Sequence, residues 1–321
     1  MAPIETATDD TLANASDILR RGGLVAFPTE TVYGLGADAR NDDAVARVFA
    51  AKDRPSFNPL IVHIADLAAA ETLGAFNDRA RALAAEFWPG PLSLVLPRRP
   101  DSGLSLLVSA GLDTVALRVP AHPLSQTLLT RFAGPIAAPS ANRAGEVSPT
   151  AAAHVAESLG DGVDLIVDGG ECTVGLESTV VDLCGARAAI LRHGAVTREQ
   201  LERVLGPIDD ASIPEPGAAP RSPGQIAKHY APSIPVRINA TDRRPNEAFI
   251  AFGEEIADGA AATRNLSPSG DLTEAAARLF ATLRELDRPE FAGIAVAPVP
   301  DTGIGRAIND RLRRAVAAHS Q

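Results

Sequence analysis

Short apolar runs alternate along the chain with stretches whose apolar positions recur every three or four residues, the pattern of buried strands interleaved with amphipathic helices. The runs at 24–27, 60–64, 92–96, 114–120, 135–139, 163–167, 180–183 and 188–192 predict strands. Helical spacing predicts a helix over 9–21, with Leu12, Ala15, Ile18 and Leu19 on one face and Gly22-Gly23 as its stop. The same spacing predicts helices over 42–51, 77–87, 123–132 and 150–159, and Thr197 caps a further one. Seven prolines between 207 and 235 mark a stiff linker. Beyond it, strands at 236–238, 249–252 and 293–297 alternate with helices over 272–286 and 304–317, which suggests a small parallel α/β unit. The pattern divides the chain into a main domain over 1–206, a linker over 207–235 and a small domain over 236–321.

One stretch organises the rest. The strand at 24–27 is stopped by Pro28 and followed at once by Thr29, Glu30, Thr31 and Tyr33. Hydroxyls and a carboxylate at a strand end are a common way to present ligand-binding groups. Gly34 and Gly36 are expected to turn the backbone sharply there.

Composition narrows the picture. A chain of 321 residues suits two domains, and 45% hydrophobic residues with 4% aromatics predict a core of Ala, Val, Leu and Ile. The formal charge of −10 argues against nucleic acid or an anionic membrane as the main partner, while leaving room for a local basic cleft. Cys172 and Cys184 lack metal-ligand spacing and fit a reduced compartment. With no signal-like start and no membrane-length apolar run, a cytoplasmic protein is expected. Only Lys52 and Lys228 among the 30 basic residues are lysines, and both fall in motif-like segments.

The chain has no Gly-x-x-x-x-Gly-Lys-Ser/Thr phosphate loop, no His-Glu-x-x-His, no cysteine cluster and no Gly-x-Ser-x-Gly elbow. Gly34-x-Gly36-x-x-Ala39 matches a dinucleotide fingerprint in letters, but Pro28 and a polar stretch separate it from its strand. What the chain does have is scattered cations at strand ends. Lys52 and Arg54 share a proline-stiffened loop, and Arg118 and Arg192 interrupt or close apolar strands. A charge in such a row requires a buried partner or an anionic ligand. Ser140, Asn142, Ser148, Ser178 and Thr179 add groups suited to phosphate or ribose oxygens. His63 reads first as a satisfied core histidine, Glu30 as either a general base or a turn carboxylate, and His229-Tyr230 as either a tether or a lid.

Six motifs occur in order: Pro28-Thr29-Glu30-Thr31-Val32-Tyr33-Gly34-Leu35, Lys52-x-Arg54-x-x-x-Asn58-Pro59-Leu60, Trp88-Pro89-Gly90-Pro91-Leu92-Ser93, Arg118-Val119-Pro120, Ala138-Pro139-Ser140-Ala141-Asn142 and Glu177-Ser178-Thr179-Val180. Together they resemble the YrdC-type threonylcarbamoyl-AMP synthases. The segments from Ser222 to Pro232 and from Gly303 to Leu312 resemble the longer, two-domain members. The resemblance implies an α/β fold, with an open twisted mixed sheet in the catalytic domain and a small Rossmann-like C-terminal domain. It implies that L-threonine, bicarbonate and ATP, with Mg2+, are joined into threonylcarbamoyl adenylate and pyrophosphate. Downstream proteins would then transfer the group to a tRNA adenosine, with at most a weak RNA contact here. By motif, Lys52, Arg54, Ser140 and Asn142 would be catalytic. Arg54, Asn58, Thr114, Ser140, Ser148, Arg192 and Tyr230 would hold ATP, and Thr29, His63, Arg118, Ala138 and Ser178 would form the threonine pocket. No protein metal ligand is implied. Two rivals remain: an RNA-binding module, and a carbamoyl-phosphate-using relative whose extra motifs are not seen.

Overall fold

The structure, a computed structural model, describes residues 2–55, 57–211, 229–254 and 259–319. Most of the proline-rich linker, including Lys228 and the Ser222-Pro223-Gly224 and Gln225-Ile226-Ala227 segments, therefore lies outside the described residues. No helix among the described residues is long and apolar enough to cross a membrane.

Strands β1 (Ile4–Thr6), β2 (Val25–Phe27), β3 (Gly34–Asp38), β4 (Ile61–His63), β5 (Leu92–Pro97), β6 (Thr114–Arg118), β7 (Ile136–Ala137), β8 (Leu165–Asp168), β9 (Thr179–Asp182), β10 (Ala189–Arg192) and β11 (Asp209–Asp210) form one mixed sheet. Its order is β1-β8-β2-β3-β7-β4-β6-β5-β9-β10-β11. Helices α1 (Asp9–Arg20), α2 (Asp42–Ala51), α3 (Leu67–Glu71), α4 (Asp78–Phe87), α5 (Pro123–Phe132), α6 (Ala152–Leu159) and α7 (Arg198–Leu205) accompany it. Alternation along β2 shows how the layers form. Leu24 and Ala26 pack in the cluster that holds Val45, Val48, Leu83 and Val155. Val25 and Phe27 pack in another, with Leu12, Leu19, Leu128 and Phe132 of α1 and α5. Thr197 caps α7 in a capping box with Gln200.

The second domain is a parallel sheet, ordered β12 (Val236–Arg237), β15 (Ile294–Val296), β13 (Ala248–Ala251) and β14 (Ala262–Asn265), with helices α8 (Leu272–Leu286) and α9 (Gly305–His319). It packs onto the first domain through one apolar cluster. Val32, Val147, Leu176 and Tyr230 join Leu279, Phe280, Leu283, Ile308 and Leu312 there. Gly175 allows the approach: with φ +72, any Cβ on it would fall 2.4 Å from the Ala277 carbonyl oxygen of α8.

The structure corrects the reading of Gly34 and Gly36 as a turn. Both lie in β3, antiparallel to β2, in a register that pairs Phe27 with Gly34 and Val25 with Gly36. The glycines are there for space. A Cβ on Gly36 would sit 2.8 Å from Phe27 Cε1 and 2.9 Å from Ile136 Cγ2. The short strands β1, β11 and β14 and the helix α3 were not expected from periodicity, because two to five residues are too few to show it. A Gly36→Ala chain is expected to lose about 1–3 kcal/mol of stability in denaturant titration. Unchanged stability would show that the neighbours repack freely.

Candidate functional site

The turn after β2 builds one wall. The Thr29 hydroxyl donates to the Val32 carbonyl at 2.7 Å and accepts from the Thr31 and Val32 amides, each at 3.2 Å. This closed turn fixes Glu30 and Thr31 beside Arg118. The last residue of β4, His63, lies in register with Arg118, the last of β6. Arg118 donates to Glu30 Oε1 at 2.6 Å, to Thr31 Oγ1 at 2.9 Å and to the Gly90 carbonyl at 3.2 Å. Glu30 Oε2 accepts from the Ala121 amide at 3.0 Å. Glu30 is thus the buried counter-ion of Arg118, which settles how its carboxylate is spent in this structure. The guanidinium keeps one N–H on each terminal nitrogen beyond these bonds.

A second wall carries cations that, among the described residues, bond to carbonyl and hydroxyl oxygens and form no ion pair. Arg54 donates to the Asn58 carbonyl at 3.3 Å and the Pro59 carbonyl at 3.0 Å, and burial pushes its pKa down to about 10. Arg192 closes β10 and donates to the Ser178 carbonyl at 3.1 Å and the Ser178 hydroxyl at 3.2 Å; burial lowers its pKa too. Ser178 shares a hydroxyl contact of 2.8 Å with Ser93 of β5. Lys52, 1% exposed at the end of α2, donates to the Ser140 carbonyl at 2.5 Å and to the Asn142 carbonyl. Burial, then the charge of Arg54, holds its amine well below the usual lysine range.

These walls enclose one cavity of about 530 Å3 of empty volume, counted with its solvent-open mouth. All five residues of the expected threonine set line it: Thr29, His63, Arg118, Ala138 and Ser178. Arg54, Ser140, Arg192 and Tyr230 of the expected ATP set line it beside them. Lys52, Asn58 and Ser148 stand one bond behind, on Ser140, Arg54 and Glu177 respectively. Asn142 takes a bond from Lys52, and its side-chain oxygen is buried without a partner, as is that of Asn58. Thr114 is not brought to the cavity: it begins β6, at the end opposite Arg118, and pairs with Pro97.

Sequence reasoning missed three contributors. Thr31 fixes Arg118, Glu177 lines the cavity, and Arg311 of α9 donates to Glu177 Oε2 at 2.9 Å. Thr31 and Glu177 sat inside the first-domain motifs and Arg311 inside the Gly303 to Leu312 segment, but Arg311 is more than a hundred residues from Glu177 and nothing in the segment pointed to that pairing. His229 and Tyr230 line the cavity, their rings 4.0 Å apart at 74°. The stretch anchors on the first domain, where the Ala231 amide donates to the Gly145 carbonyl at 2.8 Å.

His63 is one pH-sensitive element of the site, beside His229, whose pKa burial and the charge of Arg54 also push well down. Burial first, and the charge of Arg118 second, pull the pKa of His63 from 6.5 to about 3, and its Nδ1 is buried without a partner. The folded chain holds it neutral while the unfolded chain protonates it below pH 6.5. Its contribution is therefore lost as pH falls from about 6.5 toward 3, at up to about 1.4 kcal/mol per pH unit. Denaturant titrations between pH 7 and 4 are expected to show a flatter acid limb for His63→Gln than for the wild type; identical limbs would contradict a neutral buried imidazole.

Known proteins share the sequence and the fold of both domains. The family described as "Telomere recombination" (Sua5, YciO and YrdC) matches residues 17–194, and "Threonylcarbamoyl-AMP synthase, C-terminal domain" matches 196–317. The chain is 42% identical to threonylcarbamoyl-AMP synthase of Bacillus subtilis, covering 97% of this chain and 94% of that protein. It is also 42% identical to the Pyrococcus abyssi enzyme of the same name, covering 94% of this chain and 92% of that protein. The crystal structure of P. abyssi Sua5 complexed with L-threonine superposes with a TM-score of 0.91 at 37% identity, over 99% of this chain and 98% of that one. Likeness of this extent, in sequence and in both domains, places the chain in the two-domain Sua5/YrdC family of threonylcarbamoyl-AMP synthases.

Proposed function

We propose that the cavity joins L-threonine, bicarbonate and ATP into threonylcarbamoyl-AMP and pyrophosphate, the activated form from which the group passes to a tRNA adenosine. One observation carries the reading. Thr29, His63, Arg118, Ala138 and Ser178 line a single cavity together with the buried guanidiniums of Arg54 and Arg192. The threonine amine adds to bicarbonate, with loss of water, to give a carbamate. A carbamate oxygen then attacks the α-phosphorus, and the bond to pyrophosphate breaks. No step needs a covalent enzyme nucleophile. The protein's work is to hold two anions together and neutralise the leaving group.

In this reading the two remaining N–H groups of Arg118 take the threonine carboxylate, and neutral His63 offers a ring nitrogen to threonine. Arg54, Arg192 and the Ser140 hydroxyl take phosphate oxygens. Lys52 and Asn142 shape the 140–142 loop, and the third Lys52 N–H is left for phosphate. Asn58, Ser148 and Tyr230 complete the nucleotide side, and Thr114, at the far end of β6, takes no part in it. Among the described residues no group of three His, Cys, Asp or Glu gathers, and Glu30 and Glu177 are both spent on arginines. Mg2+ would therefore enter on the triphosphate as part of the substrate. We read residues 1–206 as the catalytic domain, 207–235 as a linker whose His229-Tyr230 end closes the site, and 236–321 as the second domain. The setting is cytoplasmic, with tRNA-modifying transfer proteins downstream and at most weak RNA contact, given the charge of −10.

Pyrophosphate release with ATP, bicarbonate and each amino acid in turn should occur with L-threonine and not with its neighbours in size; release independent of the amino acid would exclude the reading. Arg54→Met should lower kcat/KM for ATP at least about 100-fold with an unchanged unfolding midpoint, and an active variant would remove Arg54 from the phosphate site. Arg118→Lys keeps the charge but loses the fork, so the KM for threonine should rise about tenfold or more while that for ATP moves little. Equal changes in both would contradict the division of the cavity.

A further inference from the structure

Glu177 poses a problem for an anion site. It lines the cavity together with Arg54 and Arg192. In a cleft poor in water, a carboxylate beside guanidiniums pairs with one of them and withdraws it from any incoming anion. Glu177 is prevented from doing so. Its Oε2 accepts from Nε of Arg311 at 2.9 Å, and its Oε1 accepts from the Ser148 hydroxyl. Arg192 donates instead to the carbonyl and hydroxyl of Ser178.

Arg311 belongs to α9 of the second domain, yet it is 0% exposed. Its Nη1 donates to the His193 carbonyl and to Asp310 Oδ2, each at 2.8 Å. One side chain therefore grips Glu177, just before β9, and His193, just after β10, next to Ser178 at the entrance of β9 and Arg192 at the end of β10. The same guanidinium lies 5.1 Å from the centre of the Tyr230 ring, which stacks on Phe280 of α8 at 5.6 Å and 22°. Burial works against its charge, but Tyr230, Glu177 and Asp310 hold it protonated above the usual arginine range.

We propose that Arg311 is a positioning residue that neutralises Glu177 and so keeps Arg192 available to the polyphosphate of ATP, which makes the second domain part of the nucleotide site. The inference rests on the ATP reading above and adds a residue outside the cavity wall. A purely structural interdomain ion pair would differ in its consequences: its loss would weaken both ligands alike, or neither, and a second lesion in the pair would not help.

The test is calorimetric titration of the full-length chain with ATP and, separately, with L-threonine, for wild type, Arg311→Met, Glu177→Gln and the double variant. Arg311→Met should weaken ATP binding at least about tenfold and threonine binding less than about threefold. Adding Glu177→Gln should recover most of the lost ATP affinity, because no carboxylate then remains to capture Arg192. Unchanged ATP affinity, equal loss for both ligands, or a double variant no better than Arg311→Met would overturn the inference. If Arg311→Met does not fold, Arg311→Gln, which keeps a donor for the His193 carbonyl, reads the same quantity. Pyrophosphate release by the wild type separates the two claims. ATP binding without release counts against the proposed reaction and leaves the Arg311 comparison to be read. Normal release with ATP affinity indifferent to Arg311 counts against the inference alone.

Discussion

Positive charge withdrawn from water without matching negative charge is the constraint on which the site depends. Lys52, Arg54 and Arg192 donate to carbonyl and hydroxyl oxygens, not to carboxylates. Carbonyl dipoles offset part of the desolvation cost but leave the net charge in place. Glu177, which lines the cavity, is neutralised by Arg311, and Glu30 by Arg118. A chain with a formal charge of −10 thus maintains a local basic cleft. Such a cleft favours an anion that enters it.

The fold supplies this arrangement by convergence of strand ends. β4 and β6 deliver His63 and Arg118 in register, β10 ends on Arg192, and the segment before β9 brings Ser178 against Ser93 of β5. The turn after β2 and the loop after β7 close the remaining sides, with Gly34 bridging to Ser140. Lys52 ties the 140–142 loop to the end of α2, so the position of one wall depends on a buried amine bonded to two carbonyls. The second domain supports the opposite side through the contacts of Phe280 and Arg311 with the Tyr230 ring.

Much of this was legible in the sequence, for identifiable reasons. Long apolar runs and amphipathic spacing marked most of the larger elements to within a few residues, as for α1, expected over 9–21 and found at Asp9–Arg20. Cations in apolar strands pointed to Arg118 and Arg192, because such residues have few physical justifications. The family motifs brought in Thr29, His63, Ala138 and Ser178, which no spacing argument could have joined. Contact information was illegible. Glycine signals both turns and tight packing, so Gly36 was taken as a turn when its role is to admit the Phe27 ring. Glu30 could be assigned only once Arg118 was seen beside it. Arg311 meets Glu177 across a domain boundary, a pairing that local pattern does not encode.

The most direct test of the whole account is a crystal structure of the chain with L-threonine and a non-hydrolysable ATP analogue bound together. The account predicts phosphate oxygens within hydrogen-bond distance of Arg54 and Arg192, and the threonine carboxylate on Arg118. A nucleotide bound elsewhere, or one that displaces threonine from the same space, would contradict it.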